Sequence, residues 1–224
     1  MKNALLACVL IFHVCGCTTI AFEKPAAADM KGVLPDDLLE RFGERLFPRF
    51  TLLNSLVFQF GFSNRISALG YISVDREKGT FHVVCMSPVG VKLFEVSGDE
   101  TSIAKQFAIG DFGRNPYFIR AVAEDIRRVY FDLLPPENAP VYRGSHRMYF
   151  YSETGPAEET VYRFGSPEHV LLDKTRLRNQ EGLWRVSYYD YRSTPEGLLP
   201  AGTVLENWEY GYRITIRLKD IRQE

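Results

Sequence analysis

Cysteine and histidine are scarce in this chain, and their scarcity removes whole classes of chemistry. The four cysteines are Cys8, Cys15, Cys17 and Cys85. Three of them crowd the N-terminus, so Cys85 has no partner for a disulfide in all that follows. In Phe81-His82-Val83-Val84-Cys85-Met86 it reads as a small core residue. Beyond the N-terminal stretch only His82, His146 and His169 remain, and none shares a metal-ligand spacing with another. A zinc site needs three or four convergent ligands. Each histidine is therefore read as a surface or loop residue, or as a satisfied core position. Charge of one sign is lacking too, with 27 Lys and Arg against 28 Asp and Glu. Nothing points to nucleic-acid binding, which usually needs a basic patch or stripe. No Gly-x-Ser-x-Gly elbow, P-loop or dinucleotide fingerprint occurs. The acidic pairs Asp36-Asp37 and Glu158-Glu159 fit a helix start and a solvated loop, and nothing argues for a glycosidase pair. The expectation is a protein without cofactor or metal that is not an enzyme.

Long apolar runs are also missing, save one that falls short of the roughly 20 residues a membrane span needs. Residues 4–15 contain only His13 as a polar member and follow Met1-Lys2-Asn3. One positive charge, a short apolar run and small residues beyond it form a secretory signal pattern. Val14-Cys15-Gly16-Cys17 then places a small residue directly before a cysteine, which resembles the lipobox that directs diacylation and cleavage. Cys15 fits worse, because Val14 precedes it. An ordinary secreted protein or a buried N-terminal helix is the plainer alternative. The expectation is that residues 1–16 are a signal peptide and that Cys17 becomes a lipid-modified N-terminus. In Gram-negative lipoproteins the next residue helps to choose the membrane. Thr18 is not the retaining aspartate, so the periplasmic face of the outer membrane is favoured. The cut would remove Lys2 and leave a nearly neutral chain, long enough for one medium domain with a substantial core.

Residues 17–34, with Pro25, three alanines and Gly32, read as a lipidated N-terminus and flexible tether. The folded domain is then 35–224. A helix is expected over 35–47, with Asp36 and Asp37 in its first turn and a stripe of Leu38, Leu39, Phe42 and Leu46. From Phe50 the period changes to two, and strands are expected at 57–62, 68–74, 80–86 and 91–97, with a weaker one at 102–109. A second helix follows, with Asn115 as cap and Pro116 at its first position. Ile119, Val122, Ile126, Val129, Tyr130 and Leu133 share its apolar face; Arg120, Glu124, Asp125 and Arg128 fall largely elsewhere. Pro135-Pro136 ends it. Further strands are expected at 147–151, 160–164, 168–172, 183–191, 203–206 and 210–221. In the last, Tyr212, Ile214, Ile216 and Leu218 oppose Arg213, Thr215, Arg217 and Lys219, the mark of a strand with one dry and one wet side. Some ten strands with short connections predict a mainly β (α+β) fold: an open, curled antiparallel half-barrel with helices covering its concave face. Phe58, Phe60 and Phe62 on one strand, and Trp184, Val186 and Tyr188 on another, either line a ligand cavity or are packed solid by the helices.

The order of elements, together with three local patterns, resembles the lipoprotein-localisation (LolA/LolB-like) superfamily. The patterns are Ser87-Pro88-Val89-Gly90 leading into the apolar strand 91–96, the tryptophan-bearing Leu183-Trp184-Arg185-Val186-Ser187-Tyr188-Tyr189, and a closing hairpin. That hairpin has Pro195, Leu199-Pro200-Ala201 and then Tyr212-Arg213-Ile214-Thr215-Ile216-Arg217-Leu218-Lys219. The match runs in order through most of 35–221 and is nearest to the outer-membrane receptor type. That type's tryptophan segment ending in Gly-x-Pro is not evident around residues 135–140. Its exposed apolar insertion loop has a candidate at Ile66-Ser67-Ala68-Leu69.

The resemblance implies an incomplete barrel around an apolar cavity. Acyl chains such as palmitate, from a lipid or an acylated lipoprotein, would be held there without chemistry and passed on, with a periplasmic carrier protein as a possible partner. The cavity residues would be Phe58, Phe60, Leu93, Ile119, Val122, Ile126, Trp184, Val186, Ile214 and Ile216. Burial of acyl chain would supply about 0.8 kcal/mol per methylene. The alternative is a non-catalytic scaffold or assembly lipoprotein using the same fold to bind a protein.

Overall fold

The computed structural model describes residues 22–23, 25–61, 64–115, 117–195 and 197–222. The expected signal peptide, Cys17, the Phe62 and Ser63 positions and Pro116 lie outside the described residues.

Twelve strands form one antiparallel sheet: β1 (Arg49–Phe60), β2 (Asn64–Asp75), β3 (Thr80–Met86), β4 (Lys92–Gly98), β5 (Ile103–Ala108), β6 (Val141–Arg143), β7 (Arg147–Gly155), β8 (Glu158–Gly165), β9 (Val170–Arg178), β10 (Glu181–Thr194), β11 (Gly197–Asn207) and β12 (Tyr212–Arg222). The spatial order is β5-β4-β3-β2-β1-β12-β11-β10-β9-β8-β7-β6. The first and last strands of the domain therefore pair in the middle, and β5 and β6 remain as edges of an open sheet. The expected curled half-barrel is the fold observed.

Alternation makes one face dry. Phe50, Leu52 and Leu56 on β1, Ala68, Ile72 and Val74 on β2, and Ile216 and Leu218 on β12 are all buried. Their neighbours in sequence, such as Ser73 and Arg217, point to the other side. At mid-strand, Gly70 stands opposite Asn54, and a Cβ there would meet the Leu56 side chain at 2.8 Å. A β-bulge at Lys219 shifts the β1–β12 register between Leu53 and Asn54, so Ile221 again packs on the dry face.

Among the described residues, three helices accompany the sheet: α1 (Pro35–Glu44), α2 (Gly110–Arg114) and α3 (Phe118–Tyr130). α1 begins with proline and two aspartates in its first turn, as its sequence predicts, and buries Leu38 and Phe42. Phe42 meets Phe164 of β8 edge-on at 5.3 Å, and Tyr191 of β10 at 6.4 Å. α3 lies across the other half of the concave face. Its buried residues are Ala123, Asp125, Ile126, Val129 and Tyr130. Asp125, expected off the apolar face, is a correction: it is only 8% exposed.

The expected tether is held along part of its length. Met30 is buried and donates its N–H to the Ser145 carbonyl at 3.1 Å, while the His146 ring hydrogen-bonds the Ala28 carbonyl. Cys85 is a buried core residue, as its sequence surroundings predict, and burial pushes its thiol up to about 12.

Candidate functional site

Register places three pairs of side chains in steps down the centre of the dry face: Phe60 opposite Tyr212, Phe58 opposite Ile214, and Leu56 opposite Ile216. α3 crosses above them. The lower two steps line an inner pocket with Ile72, Val83, Phe94, Val122, Ile126, Val129, Tyr130 and Leu205, and one carboxyl, Asp125. Its volume is about 70 Å³. That is well below the roughly 300 Å³ at which ligand pockets begin. The top step opens into an outer cleft of about 650 Å³ walled by Phe60, Asn115, Tyr117, Phe118, Arg120, Ala121, Glu124, Tyr210 and Tyr212.

Between the two spaces stands a hydrogen-bonded bar. The Tyr212 hydroxyl donates to Asp125 Oδ2 at 2.6 Å and accepts from Asn207 Nδ2 at 3.0 Å. Arg128 Nη1 donates to Asp125 Oδ1 at 3.0 Å. Burial outweighs the Tyr212 and Arg128 contacts and pushes the Asp125 carboxyl up to about 6. A carboxyl poised there is anionic at neutral pH and becomes neutral in mild acid.

The two ends of α3 are held differently. At the C-terminal end, carbonyls of the last turn and of the chain around it are taken up by side chains from the sheet and from the β2–β3 turn. Arg76 Nε donates to the Tyr130 carbonyl at 2.8 Å and its Nη1 to the Phe47 carbonyl at 3.0 Å. The Tyr188 hydroxyl lies 3.1 Å from the Val129 carbonyl and 3.3 Å from that of Arg128. Lys174, fully buried between the Tyr162 and Trp184 rings, donates to the Asp132 carbonyl, and burial pulls its amine down to about 7. At the N-terminal end, Tyr117 offers no side-chain cap; Asn115 Oδ1 accepts its N–H at 2.9 Å.

Of the residues expected to line a cavity, Phe58, Val122, Ile126, Ile214 and Ile216 come together in the inner pocket, and Phe60 stands at the mouth, 40% exposed. Trp184 and Val186 lie in the packed core of the neighbouring half, with Trp184 beneath the Arg128 guanidinium at 5.2 Å. Ile119 packs on the core beside the pocket without lining it. Leu93 is out of phase: Phe94 and Val96 are the buried positions of β4, and Phe94 lines the pocket. Sequence reading missed Leu56, Leu205, Phe94 and above all Asp125. The one available signal was Tyr212, a phenol heading an aliphatic face, because buried tyrosine hydroxyls find partners. Ile66-Ser67-Ala68-Leu69 is not a loop but part of β2, with Ala68 buried. The apolar residue that does stand out is Val89, 86% exposed in the β3–β4 turn. Among the described residues, no three or more His, Cys, Asp or Glu side chains are grouped to hold a metal ion.

An open antiparallel half-barrel, with one helix laid over an apolar track on its concave face, is the class of architecture these features define. It is a LolA/LolB-like fold. The structure of a LolA-superfamily protein from Nitrosomonas europaea superposes with a TM-score of 0.53, at 8% identity, covering 86% of this chain and 94% of that one. A weaker likeness, TM-score 0.47 at 9% identity, is to an outer membrane lipoprotein-sorting protein domain from Vibrio parahaemolyticus, covering 83% and 90% of the two chains. No family model matches the sequence, and no curated protein matches it.

Proposed function

We propose that this protein binds the acyl chain of a lipid or an acylated lipoprotein beneath α3 and takes part in its transfer or localisation in the cell envelope. The observation that carries this reading is the apolar track. It runs from Phe60 and Tyr212 at the mouth, past Phe58 and Ile214, to Leu56 and Ile216, and its inner lining is apolar but for Asp125 and the Tyr130 phenol. At about 70 Å³ the inner pocket takes a chain only when α3 rises. Its firmly bonded C-terminal end acts as the pivot, and opening breaks the bond from Tyr212 to Asp125. Each methylene then buried contributes about 0.8 kcal/mol toward the cost of opening. Binding and release need no covalent step, and direction comes from relative affinities for donor and acceptor. Cys17 carries the acyl anchor, and the protein stands on the periplasmic face of the outer membrane.

Native mass spectrometry of protein purified without detergent, with lipid extraction, tests the reading. Bound acyl species that exchange with added lipid are the expected result. A clean unliganded mass, with no uptake of lipid or acylated peptide, overturns it. That outcome favours the second reading, a protein-binding scaffold. One observation supports this alternative: Phe60, Ile66, Val89, Val91, Tyr117, Trp208 and Tyr210, all exposed, belong to strand ends and connections at the same end of the sheet.

A further inference from the structure

The wet face of the central strands has a composition of its own. Arg65 of β2, Arg213, Arg217, Lys219 and Arg222 of β12, and Arg185 of β10 occupy outward positions, as the registers Gln59–Arg65, Gln59–Arg213, Ser55–Arg217, Thr51–Arg222 and Arg185–Glu206 require. With Arg49 and Arg192, the five strands β2, β1, β12, β11 and β10 carry eight cations, against the five anions Asp75, Glu181, Asp190, Glu206 and Asp220. Between them lie uncharged residues such as Val57, Ser55, Thr215 and Ser187. In a chain of net charge −1 this is a local excess of positive charge.

On the same face sits a hydrophobic pin. Gly202 leaves a gap in β11, and the Phe22 ring fills it so closely that a Cβ there would lie 2.4 Å from the ring. Phe22 stacks on Tyr189 at 5.2 Å, lies under the Arg217 guanidinium at 4.6 Å, and is 8% exposed. The pin fixes where the chain leaves the domain. Five residues on the N-terminal side stands Cys17, and five residues span at most about 17 Å when fully extended.

From this juxtaposition we infer that the wet face of β2, β1, β12, β11 and β10 is a docking surface for a bilayer carrying anionic headgroups. The inference rests in part on the acylated Cys17 of the preceding reading. A short leash pinned among cations keeps this face within reach of the headgroups, where each Lys or Arg near an anionic membrane contributes about 1 kcal/mol. The apolar track, on the opposite face under α3, is thereby turned away from the membrane that anchors the protein. It is left open to a donor arriving from the far side.

The test uses full-length protein reconstituted into vesicles of phosphatidylcholine alone or with added phosphatidylglycerol, each with a headgroup-level nitroxide lipid. A fluorophore is placed at Thr215→Cys on the wet face or at Glu153→Cys on β7, far along the sheet; Cys85 is buried and escapes labelling. Quenching at position 215 is expected to be at least about threefold stronger than at 153 in phosphatidylglycerol vesicles. The contrast should fall with salt, and fall in the triple variant Arg213→Gln, Arg217→Gln, Lys219→Gln. Equal quenching at the two positions, or a contrast indifferent to phosphatidylglycerol, overturns the inference. Mass spectrometry of the N-terminal peptide reads the acyl group on Cys17 separately. Unacylated protein that still shows the contrast removes the anchor and keeps the surface, and acylated protein without it does the reverse.

Discussion

The two halves of the concave face are built from similar strands and filled to different degrees. Over β7 to β11 the sheet is covered by α1, and a cleft of about 600 Å³ lies beside that helix, lined by its Leu38 and Phe42 and by Pro167, Glu168 and His169. Phe42, Phe150, Phe164, Met148, Leu171, Leu198 and Leu199 are all 1% exposed or less, with Phe150 and Phe164 edge-on at 5.5 Å. Over β1 to β4 and β12 the covering element is α3, and a pocket remains beneath it. Aromatic rings supplied by both helix and sheet interlock in the first half. In the second, rings meet at the two ends of α3, Phe94 on Phe118 at 5.1 Å and Phe50 on Tyr130 at 5.8 Å, while between them Val122, Ile126 and Val129 face Leu56, Phe58, Ile214 and Ile216 across incompletely occupied space. The half under α1 is the scaffold, and the half under α3 is where a guest fits.

The largest test of that contrast is a pair of truncations. Phe42→Ala removes a ring from beneath α1 and is expected to cost about 3–5 kcal/mol, since its neighbours Phe164 on β8 and Tyr191 on β10 cannot collapse into the hole. Phe58→Ala, in a wall that already borders a void, should cost less than half as much. Urea denaturation of both variants measures the difference. Equal losses would mean that α3 packs as firmly as α1.

Next in size is a dependence on pH. The folded Asp125 carboxyl is raised to about 6 from 3.8, so its contribution to stability is fully present below 3.8 and lost as pH rises through 6. Asp125→Asn stays neutral throughout. It should therefore gain on the parent protein between pH 4 and pH 7, by up to about 3 kcal/mol. Denaturation curves across this window give the answer, and a constant difference would show that Asp125 does not titrate within it.

A third change sharpens the comparison through binding. Val83→Trp fills the inner pocket from β3 and is expected to lower acyl uptake about tenfold, equivalent to about 1.4 kcal/mol, with the fold retained. The same substitution at Val186, in the half under α1, should damage folding instead. Uptake by the Val83 variant at the parent's level would place the guest elsewhere.

Much of this arrangement was written in the residue pattern. Alternation located β1 to β4, β7, β8 and β10 to β12, and it put Phe58, Ile214 and Ile216 on the dry side. It failed where alternation itself fails. β9 buries its first six residues in succession, Asp173 and Lys174 included, so its latter part carried no period-two signal. β6 is three exposed residues held by pairing with β7 and a ring contact between Tyr142 and Tyr149. Leu93 and Phe94 are both apolar, and the bulge between Cys85 and Met86 decides which of them faces inward. Asp125 was misplaced because a helical period assigns charge to the wet side. Its burial depends on Tyr212, a residue 87 positions away.

The smallest expected effect concerns the two ends of α3, and it tests the pivot directly. Asn115→Ala removes the side-chain acceptor of the Tyr117 amide and leaves that amide to water. Loss of a cap of this kind costs about 0.5–2 kcal/mol in general, and the lower end applies here because Asn115 is exposed. The loss should be local. Amides of residues 118–122 should exchange faster with solvent deuterium. Those of residues 126–130, beside the carbonyls bonded by Arg76 and Tyr188, should keep their protection. Equal acceleration along the whole helix would make α3 a single rigid unit that leaves the sheet all at once. The acyl track would then open from both ends rather than from the mouth formed by Phe60 and Tyr212.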